Sequence, residues 1–398
     1  MPASLAPTNS KGHGMKVIIA GAGIAGLTVA GLLARTGSHD VTVLEHAPSF
    51  GDAGYGIGLY PLGGAVFNAL GKADELARRS VVLNKYIVYG PNGDELQSVD
   101  LSALLSAYGP MLGISRADLI DILSSCVPDG VIRFGVHAQS AELSGDGIIV
   151  HASDGSSFQG DVAIAADGMN SALRTWLFGE VKRHDTGFNA WMWWAPPGVV
   201  AAHTAAEHWG PSSFVGLYPM LHGTNVAVGV PKALSPDPTG TPTEIVKALR
   251  AIVSEHNPGV AGVAELWDLG DSRPFLWPMQ DVRAPRITAL DDRMALVGDS
   301  GIGFLPTAGV GASNALRSAA ALAYDLSLAD SASAQLSVRR WNARVSKLVE
   351  SNQEDSRQLA KVMMVKHESA SRVINAIMKH MPVTTMTKSI VKSMEVPF

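Results

Sequence analysis

The sequence predicts an α/β fold, α+β overall, in which a parallel sheet is interrupted by an inserted second sheet. Residues 16–20 form an apolar run, followed by a glycine-rich turn, a helix at 24–35 and a strand at 40–45. The hydrophobic pattern typical of a buried strand recurs at 161–166 and 293–298, far along the chain. Between these two segments the sequence is rich in aromatic residues and in strand-like runs, which indicates the inserted sheet.

Composition limits the class of protein. The chain has 398 residues, of which 46% are hydrophobic and 17% charged, which predicts a globular protein with two domains or one large domain with an insertion. A net charge of −5 argues against nucleic acid as a partner. The single cysteine, Cys126, cannot form an intramolecular disulfide, which fits a reducing compartment, and we expect a cytoplasmic protein.

One uncharged stretch, 17–34, is long enough to imitate a membrane span. Its glycines at 21, 23 and 26 suit a turn between a strand and a helix better than a spanning helix, so we expect no membrane span. Residues 1–14 are rich in proline, serine, glycine and alanine and predict a disordered leader.

The other elements follow from hydrophobic periodicity and turn residues. Before the inserted sheet, we expect a glycine-rich loop at 51–58, helices at 62–70, 115–126 and 171–178, and strands at 81–89, 96–99, 131–142, 147–152 and 157–160. From there on, we expect strands at 187–194, 213–220 and 225–230, and helices at 243–256, 311–328 and 335–379.

The turn after the first strand carries the motif Gly21-Ala22-Gly23-Ile24-Ala25-Gly26. Gly21 permits a tight turn, Gly23 lets the backbone approach a pyrophosphate, and Gly26 lets the helix pack closely on the strand. Glu45 ends the second strand about 20 residues later, where a carboxylate accepts hydrogen bonds from ribose hydroxyls. This context predicts a Rossmann-like dinucleotide site.

Two further motifs end the other buried strands. Asp167-Gly168 follows the strand at 161–166, and the alternative interpretation is an ordinary turn capped by a serine or asparagine. Gly298-Asp299 follows the strand at 293–298, and a loop with Pro306 then leads to Gly309-Val310-Gly311-Ala312 at a helix start. The aspartate can hold a sugar-like hydroxyl, and the N–H groups of the helix start can face an oxyanion or an electron-rich ring.

Together, the three motifs resemble those of the class A flavoprotein monooxygenases, the para-hydroxybenzoate hydroxylase family, over roughly residues 15–350. The resemblance implies that FAD is bound, with Glu45 on the ribose, Asp167-Gly168 serving FAD and the nicotinamide cofactor, and Gly298-Asp299 on the ribityl chain. It also places Arg116 near the cofactor. The cofactor-binding residues predicted in this way are Gly21, Gly23, Ile24, Ala25, Gly26, Glu45, His46, Gly58, Arg116, Asp167, Gly168, Gly298, Asp299, Pro306, Gly309, Val310, Gly311 and Ala312.

Two features depart from the family pattern. The family has Ala-Ala-His after Gly-Asp where this chain has Ser300-Gly301-Ile302, and His46 stands where a basic residue commonly follows the ribose acid. The departures bear on flavin movement and on the substrate. A second glycine fingerprint is absent from the sequence, which fits transient binding of the nicotinamide cofactor.

The resemblance also predicts the domains. The Rossmann-like FAD-binding domain is discontinuous and is followed by a C-terminal helical region, and the inserted β-sheet domain binds the substrate. The ranges are 15–79, 100–180 and 281–350 for the FAD-binding domain, 80–99 and 181–280 for the substrate domain, and 351–398 for the C-terminal helices.

The activity that the resemblance implies is a single-component monooxygenase. NADH or NADPH reduces the FAD, O2 forms a flavin C4a-hydroperoxide, and one oxygen atom passes to an aromatic or other electron-rich small molecule. We expect substrate contacts from Trp191, Trp193, Trp277 and Phe304 and catalytic contributions from Tyr218, His222 and Pro306. We expect no metal, and a monomer or a homodimer.

Other functions share much of this pattern. The segment from Trp191 to Pro196 is reminiscent of a halogenase signature, with Lys85 as a conceivable halogenating lysine. The altered Ser300-Gly301-Ile302 suggests, as an alternative, a family member that no longer oxygenates, such as a cyclase, a dehydratase or a ligand-binding module. Epoxidation and Baeyer–Villiger oxidation remain open as well.

Overall fold

A computed structural model describes residues 14–51 and 54–382. The predicted leader at 1–14 lies outside these residues except for Gly14, and the final part of the predicted C-terminal helices, 383–398, lies outside them too. The strands are β1 (Lys16–Ala20), β2 (Asp40–Glu45), β3 (Gly56–Leu59), β4 (Val81–Val82), β5 (Lys85–Tyr89), β6 (Glu95–Asp100), β7 (Leu112–Ser115), β8 (Ile132–Phe134), β9 (Ala138–Ser144), β10 (Gly147–Ala152), β11 (Ser157–Gly160), β12 (Val162–Ala165), β13 (His184–Ala195), β14 (Thr204–Gly210), β15 (Ser213–Met220), β16 (Gly223–Pro231), β17 (Phe275–Arg283), β18 (Thr288–Ala289), β19 (Met294–Leu296) and β20 (Ile302–Gly303).

The helices connect the sheets and close the C-terminal part of the described chain. They are α1 (Ile24–Thr36), α2 (Pro61–Leu70), α3 (Ala73–Arg78), α4 (Ser102–Tyr108), α5 (Arg116–Ser124), α6 (Ala172–Phe178), α7 (Pro242–His256), α8 (Pro258–Ala261), α9 (Gly311–Ser327), α10 (Ala334–Met363) and α11 (Glu368–His380). Short 3₁₀ turns are formed by Ala264–Trp267, Gly298–Ser300 and Pro306–Ala308.

The parallel sheet has the strand order β18-β19-β12-β1-β2-β8. Strand β1 pairs in parallel with β2 on one side and with β12 on the other, and only the pairing of β18 with β19 is antiparallel within this sheet. The strand order therefore changes direction at β1, since β2 lies on one side of it and β12 on the other. Parallel sheets of this kind bind ligands in the crevice outside the carboxyl ends of the strands at such a point, here β1 and β12. The prediction of a parallel sheet is confirmed.

Both faces of the parallel sheet are covered. Side chains of β1, including Val17 and Ile19, pack with α1, α5 and α9 in an apolar cluster. On the other face, Ile18 and Ala20 pack against the antiparallel strands β9 and β10. The uncharged stretch 17–34 is therefore β1 and α1, and none of the helices in the described ranges is long and apolar enough to cross a membrane.

The large sheet has the order β20-β17-β13-β16-β15-β14-β5-β6. One face packs under α7 and α8, which begin at a capping box of Thr241 and Glu244 and at Pro258 respectively. The other face packs against α10 and α11 through residues such as Met192, Met279 and Met363. Because side chains alternate along a strand, each strand sends one set of residues to α7 and the other set towards α10.

The element predictions need some corrections. The sequence analysis missed β14 and β17, and the helix predicted at 335–379 is interrupted at 364–367, between α10 and α11. Strand β14 reads Thr-Ala-Ala-Glu-His-Trp-Gly, in which alanine and glutamate disfavour a strand, but β5 and β15 pair with it on both sides. Strand β17 contains Pro278, a residue that argues against a strand. The predicted loop at 51–58 contains the start of β3. The division into domains stays a prediction.

Candidate active site

A cavity of about 750 Å³ runs from the carboxyl end of the parallel sheet to the large sheet. Many of the predicted site residues line it, namely Gly23, Ile24, Ala25, Gly58, Arg116, Gly168, Tyr218, Trp277, Gly298, Asp299, Phe304, Pro306, Gly309, Val310, Gly311 and Ala312. Others do not line it, namely Gly21, Gly26, Glu45, His46, Asp167, Trp191, Trp193 and His222. The fold thus brings together motifs that lie almost 300 residues apart in the chain.

The glycine turn between β1 and α1 forms one end of this cavity. Gly21 has a φ of 102°, and a Cβ there would overlap the carbonyl oxygen of Ala166, while a Cβ on Gly26 would overlap the carbonyl oxygen of Gly21. A Cβ on Gly23 would meet no atom within 4 Å. Packing within the protein thus explains Gly21 and Gly26, whereas the open space beside Gly23 is the space that a pyrophosphate needs.

Glu45 supports the glycine turn from the side. Its Oε2 accepts a hydrogen bond from the backbone N–H of Ala22 at 2.7 Å, and its Oε1 accepts one from the N–H of Ala47 at 2.9 Å. The ring of His46, largely exposed, lies with its Nδ1 2.9 Å from Oε1 of Glu45. The structure therefore places Glu45 beside the dinucleotide turn, as predicted, but outside the wall of the cavity.

Arg174, on α6, connects the two aspartate motifs and was not assigned a role from the sequence. Its Nη1 donates to the carbonyl oxygens of Asp299 at 3.2 Å and Ser300 at 3.0 Å, and its Nη2 donates to that of Met169 at 2.6 Å. The guanidinium is buried, so it fixes the turn after β12 against the turn after β19. The available signal was an arginine in the first turn of a helix capped by Ser171.

Asp167 and Asp299 are the acidic groups at these two turns. Oδ1 of Asp167 is buried and has no hydrogen-bond partner among the residues described, while its Oδ2 accepts from the N–H of Leu173 at 3.2 Å. Burial raises the pKa of Asp167. Burial also raises the pKa of Asp299 to about 6, although the charge of Arg174 opposes this shift. Of the two, Asp299 lines the cavity, so its buried carboxyl group is the one that can gain from polar groups of a ligand.

The titration of Asp299 makes the stability of the ligand-free protein depend on pH. Because burial raises its folded pKa from 3.8 to about 6, Asp299 disfavours the folded state once it ionises, so stability falls as the pH rises through about 6. We expect the free energy of unfolding of the parent, relative to Asp299→Asn, to fall by up to about 3 kcal/mol between about pH 4 and pH 8. Denaturant titrations of both proteins at several pH values measure this difference.

Asp237→Asn is the matched control for that experiment. The backbone N–H and the hydroxyl of Thr239 lower the pKa of the exposed Asp237 carboxyl. For this control we expect a small change of the opposite sign in the free energy of unfolding, with the parent gaining stability relative to Asp237→Asn as the pH rises. A parent-minus-Asp299→Asn difference that is constant with pH contradicts the assignment of the buried carboxyl.

The residues Ser300-Gly301-Ile302 lie outside the cavity wall. The hydroxyl of Ser300 is fully buried and lies within hydrogen-bond distance of the carbonyl oxygens of Ala165, at 2.6 Å, and Val297, at 2.8 Å. A Cβ on Gly301 would overlap the carbonyl oxygen of Leu296, and the side chain of Ile302 is in the core. The departure from the family pattern thus serves packing behind the turn.

The start of α9 forms a second helix end at the cavity. Gly309 has a φ of 62°, and α9 then begins at Gly311 without a side-chain cap, so its first N–H groups are available to a ligand. The preceding turn is held in place by α10, because the hydroxyl of Thr307 donates to the carbonyl oxygen of Ser356 at 2.9 Å. Pro306 and Phe304 line the cavity on this side.

An aromatic group at the cavity combines Tyr55 with two residues of β17, a strand of the large sheet. The rings of Tyr55 and Phe275 stack at a centroid distance of 5.8 Å, and Trp277 meets Tyr55 edge-on at 5.3 Å. The guanidinium carbon of Arg116 lies 5.9 Å from the centre of the Tyr55 ring. Tyr55, Trp277 and Arg116 all line the cavity, and Tyr55 was not identified from the sequence.

The large sheet contributes a buried carboxylate that the sequence analysis missed. Glu207 on β14 faces the cavity together with Ala205 and Trp209. Its Oε1 accepts from the hydroxyl of Tyr218 at 2.7 Å, its Oε2 accepts from the indole N–H of Trp209 at 2.8 Å, and Tyr86 also bonds to it. No motif marks this glutamate, because strand pairing alone brings it beside the tyrosines.

The prediction that Trp191 and Trp193 contact substrate is wrong. Both side chains are buried under α7 and α8 on the other face of β13, and their indole N–H groups donate to Ser235 and to the carbonyl oxygen of Leu266. Ala190 and Met192, the alternate residues of the same strand, line the cavity instead. His222 lies exposed in the turn between β15 and β16, away from the cavity wall, so the structure gives it no catalytic contact.

The ends of the cavity differ in chemistry, and together they fit FAD. The parallel-sheet end offers two uncapped helix N-termini and Asp299, which suit a pyrophosphate and sugar-like hydroxyls. The other end is aromatic and apolar, which suits a flavin ring and an organic substrate. Within the described ranges, no group of histidine, cysteine, aspartate or glutamate residues has the arrangement of a metal site.

Comparisons with known proteins agree with this geometry. Residues 14–338 match the FAD binding domain family. The chain is 31% identical over 330 residues to a 3-amino-4-hydroxybenzoate 2-monooxygenase from Streptomyces platensis, covering 79% of this chain and 80% of the relative. It is 29% identical over 321 residues to an aurachin C monooxygenase/isomerase from Stigmatella aurantiaca, covering 79% and 81%.

A solved structure agrees over nearly the whole chain. HpxO from Klebsiella pneumoniae, crystallised with FAD and uric acid, superposes with a TM-score of 0.84 at 22% identity, covering 98% of this chain and 99% of that one. At this identity the likeness shows the fold.

Proposed function

Because the chain belongs to the class A flavoprotein monooxygenases of the FAD binding domain family, we propose that it is a single-component enzyme that uses NADH or NADPH and O2 to hydroxylate an aromatic or other electron-rich small molecule. The chain is thus an FAD-dependent oxidoreductase. The observation that supports the substrate class is the continuity of the cavity, which joins the dinucleotide end to an apolar wall of the large sheet.

The residues that would hold FAD follow from the cavity wall. Gly23, Ile24 and Ala25 would face the pyrophosphate, Asp299 would accept hydrogen bonds from hydroxyls of the ribityl chain, and the N–H groups at Gly309–Gly311 would face the flavin ring. Bound there, FAD supplies hydride acceptance from NAD(P)H and activation of O2 for transfer of one oxygen atom. The remaining work falls to the protein.

The protein orients the substrate and excludes water. Trp277, Phe304 and Pro306 line the cavity, and we assign them to substrate or flavin contacts. The helices α10 and α11 pack apolar side chains on the face of the large sheet that borders the cavity. A dry site keeps the activated oxygen from being lost to water. Amide dipoles at the start of α9 stabilise negative charge that develops beside them.

The alternatives have less support. In the segment that resembles a halogenase signature, Trp191 and Trp193 are packed in the core under α7. The segment Ser300-Gly301-Ile302, which suggested a non-oxygenating enzyme, does not line the cavity. The relatives named above are monooxygenases, and one of them is also named an isomerase. A cytoplasmic location and a monomeric or dimeric state remain predictions from the sequence.

A screen of NAD(P)H oxidation tests the proposal. The purified, FAD-loaded protein is mixed with NADH or NADPH, air and a panel of phenols, hydroxyquinolines and other N-heterocycles, and oxidation is followed by the loss of nicotinamide absorbance. We expect at least one compound to accelerate oxidation roughly tenfold or more and to yield a product with one added oxygen. Substrate-independent oxidation across the whole panel, with no oxygenated product, would count against the proposal.

A further inference from the structure

The cavity wall around Glu207 indicates what kind of substrate the enzyme takes, an inference that rests on the proposed function and deepens it. We propose that Glu207 selects a neutral, largely apolar aromatic substrate that donates an N–H or O–H group to the cluster of Glu207, Tyr86 and Tyr218, and that the same cluster rejects aromatic carboxylates.

Donation to Glu207 fixes where the hydroxyl protons of Tyr86 and Tyr218 point. Tyr218 gives its hydroxyl proton to Oε1 of Glu207 at 2.7 Å, and Trp209 gives its indole proton to Oε2 at 2.8 Å. Tyr86 also bonds to the carboxylate through its hydroxyl. A tyrosine hydroxyl has one proton, so each tyrosine that donates to Glu207 presents only lone pairs to the cavity. The cluster therefore accepts hydrogen bonds from a substrate.

The tyrosines keep their protons at neutral pH. Burial, followed by the charge of Glu207, holds the pKa of Tyr86 and of Tyr218 well above the ordinary value. Burial also raises the pKa of Glu207, while hydrogen bonds from the tyrosines and from Trp209 oppose that shift. The tyrosine hydroxyls therefore keep the protons that they donate to Glu207.

The charged groups at the cavity wall disfavour a substrate carboxylate beside Glu207. Among the described residues that line the cavity, the cationic ones are Lys85 and Arg116. Lys85 is exposed and lies opposite Asp100 in the pairing of β5 with β6, whereas Arg116 lies against the ring of Tyr55. Neither residue is among the groups that shift the pKa of Glu207. A substrate carboxylate at this wall would face a buried acid with no cation to balance it.

The wall beside this cluster is apolar. Met192, Met279 and Met363 line the cavity and belong to the same apolar cluster as Trp209, which donates to Glu207. Methionines adapt to varied apolar shapes, so this wall suits a substrate with a bulky apolar part.

The end of α11 completes this apolar wall. Met378 and Met381 line the cavity, and the side-chain amide of Gln97 donates to the carbonyl oxygens of Met378, at 2.5 Å, and Met381, at 2.7 Å. These bonds hold the end of α11 against β6 and keep its methionines at the cavity.

Three matched probes separate the features of the substrate. Heptyl 4-hydroxybenzoate is a neutral phenol with an apolar chain, and heptyl 4-methoxybenzoate lacks its donor. The third probe, 4-hydroxybenzoate, keeps the donor but carries a carboxylate in place of the heptyl ester, so the effect of charge alone is measured by the change in its affinity in Glu207→Gln. Calorimetric titration of the FAD-loaded protein, without NAD(P)H, measures binding of each. We expect the methoxy ester to bind at least ~10-fold more weakly than the phenol ester, and 4-hydroxybenzoate at least ~100-fold more weakly.

Variants then assign the preference to Glu207. Glu207→Gln is expected to weaken binding of the phenol ester about tenfold and to strengthen binding of 4-hydroxybenzoate, because the substitution removes the charge and an amide can donate a hydrogen bond. Tyr218→Phe keeps the charge and removes one acceptor oxygen, so we expect it to weaken binding of the phenol ester alone. This variant also tests the proposal if Glu207→Gln fails to fold. Glu265→Gln, at an exposed glutamate, is the control for net charge and should leave all three affinities unchanged.

The two proposals fail in different ways. Equal affinity for all three probes, tighter binding of 4-hydroxybenzoate, or no binding of any probe overturns the selection by Glu207. Preferential binding of the phenol ester without any oxygenated product on addition of NAD(P)H supports the selection and counts against the proposed function instead.

Discussion

Gly23→Asp is expected to weaken FAD binding at least ~100-fold while leaving the ligand-free protein at least as stable as the parent. Gly23 caps α1 with a φ of −82°, which any residue adopts, and a Cβ there meets no atom within 4 Å. Aspartate is a preferred cap at this position and improves on glycine by a few tenths of a kcal/mol. The same carboxylate, however, occupies and repels the place of the pyrophosphate.

Gly21→Ala is the matched control. Its Cβ would overlap the carbonyl oxygen of Ala166, and the φ of 102° is strained for alanine, so we expect a loss of stability of roughly 2 kcal/mol or more. FAD fluorescence titration gives the affinity, and thermal unfolding of the ligand-free proteins gives the stability. If Gly23→Asp binds FAD like the parent, the pyrophosphate does not lie at the start of α1.

Trp193→Ala is expected to lower the free energy of unfolding by about 3–5 kcal/mol. Its side chain is fully buried, its N–H donates to the carbonyl oxygen of Leu266 at 3.0 Å, and its ring lies 6.0 Å from that of Trp267. The substitution leaves a void beneath α7 and α8 and an unpaired buried carbonyl. Denaturant unfolding measures the change.

Met192→Ala is its counterpart on the other face of the same strand. Met192 lines the cavity, so its truncation enlarges a space that already exists and should reduce stability less than Trp193→Ala does. Its larger effect should be on the affinity for the heptyl phenol ester. The reverse pattern, with Trp193→Ala changing ligand affinity and Met192→Ala reducing stability more, contradicts the assignment of the two faces of β13.

The dinucleotide end of the site could be predicted because its chemistry is local in sequence. Gly21 and Gly23 lie in the turn before α1 and Gly26 lies in its first turn, while Asp167 and Asp299 each follow a buried strand. Strands that lie side by side in a parallel sheet end at one edge, so these motifs had to meet once the fold was recognised. The element order from β1 to β2 follows from the same local pattern.

The substrate end could not be predicted in the same way. Whether Trp193 or Met192 faces the cavity depends on which face of β13 is covered by α7, and periodicity within the strand does not decide that. Glu207 lies on β14, which has weak strand propensity, and it meets Tyr86 only because β5 pairs in parallel with β14. Such contacts depend on register between distant segments, which no local motif records.

The central claim is that this chain inserts one atom of dioxygen into a bound aromatic compound. The most direct test is turnover of the FAD-loaded protein with NAD(P)H and the best compound from the screen, under dioxygen labelled with oxygen-18, followed by mass spectrometry. We expect a product that carries one labelled oxygen atom, and an unlabelled product when only the water is labelled. A label that enters from water, or a product without added oxygen, contradicts insertion of an atom of dioxygen.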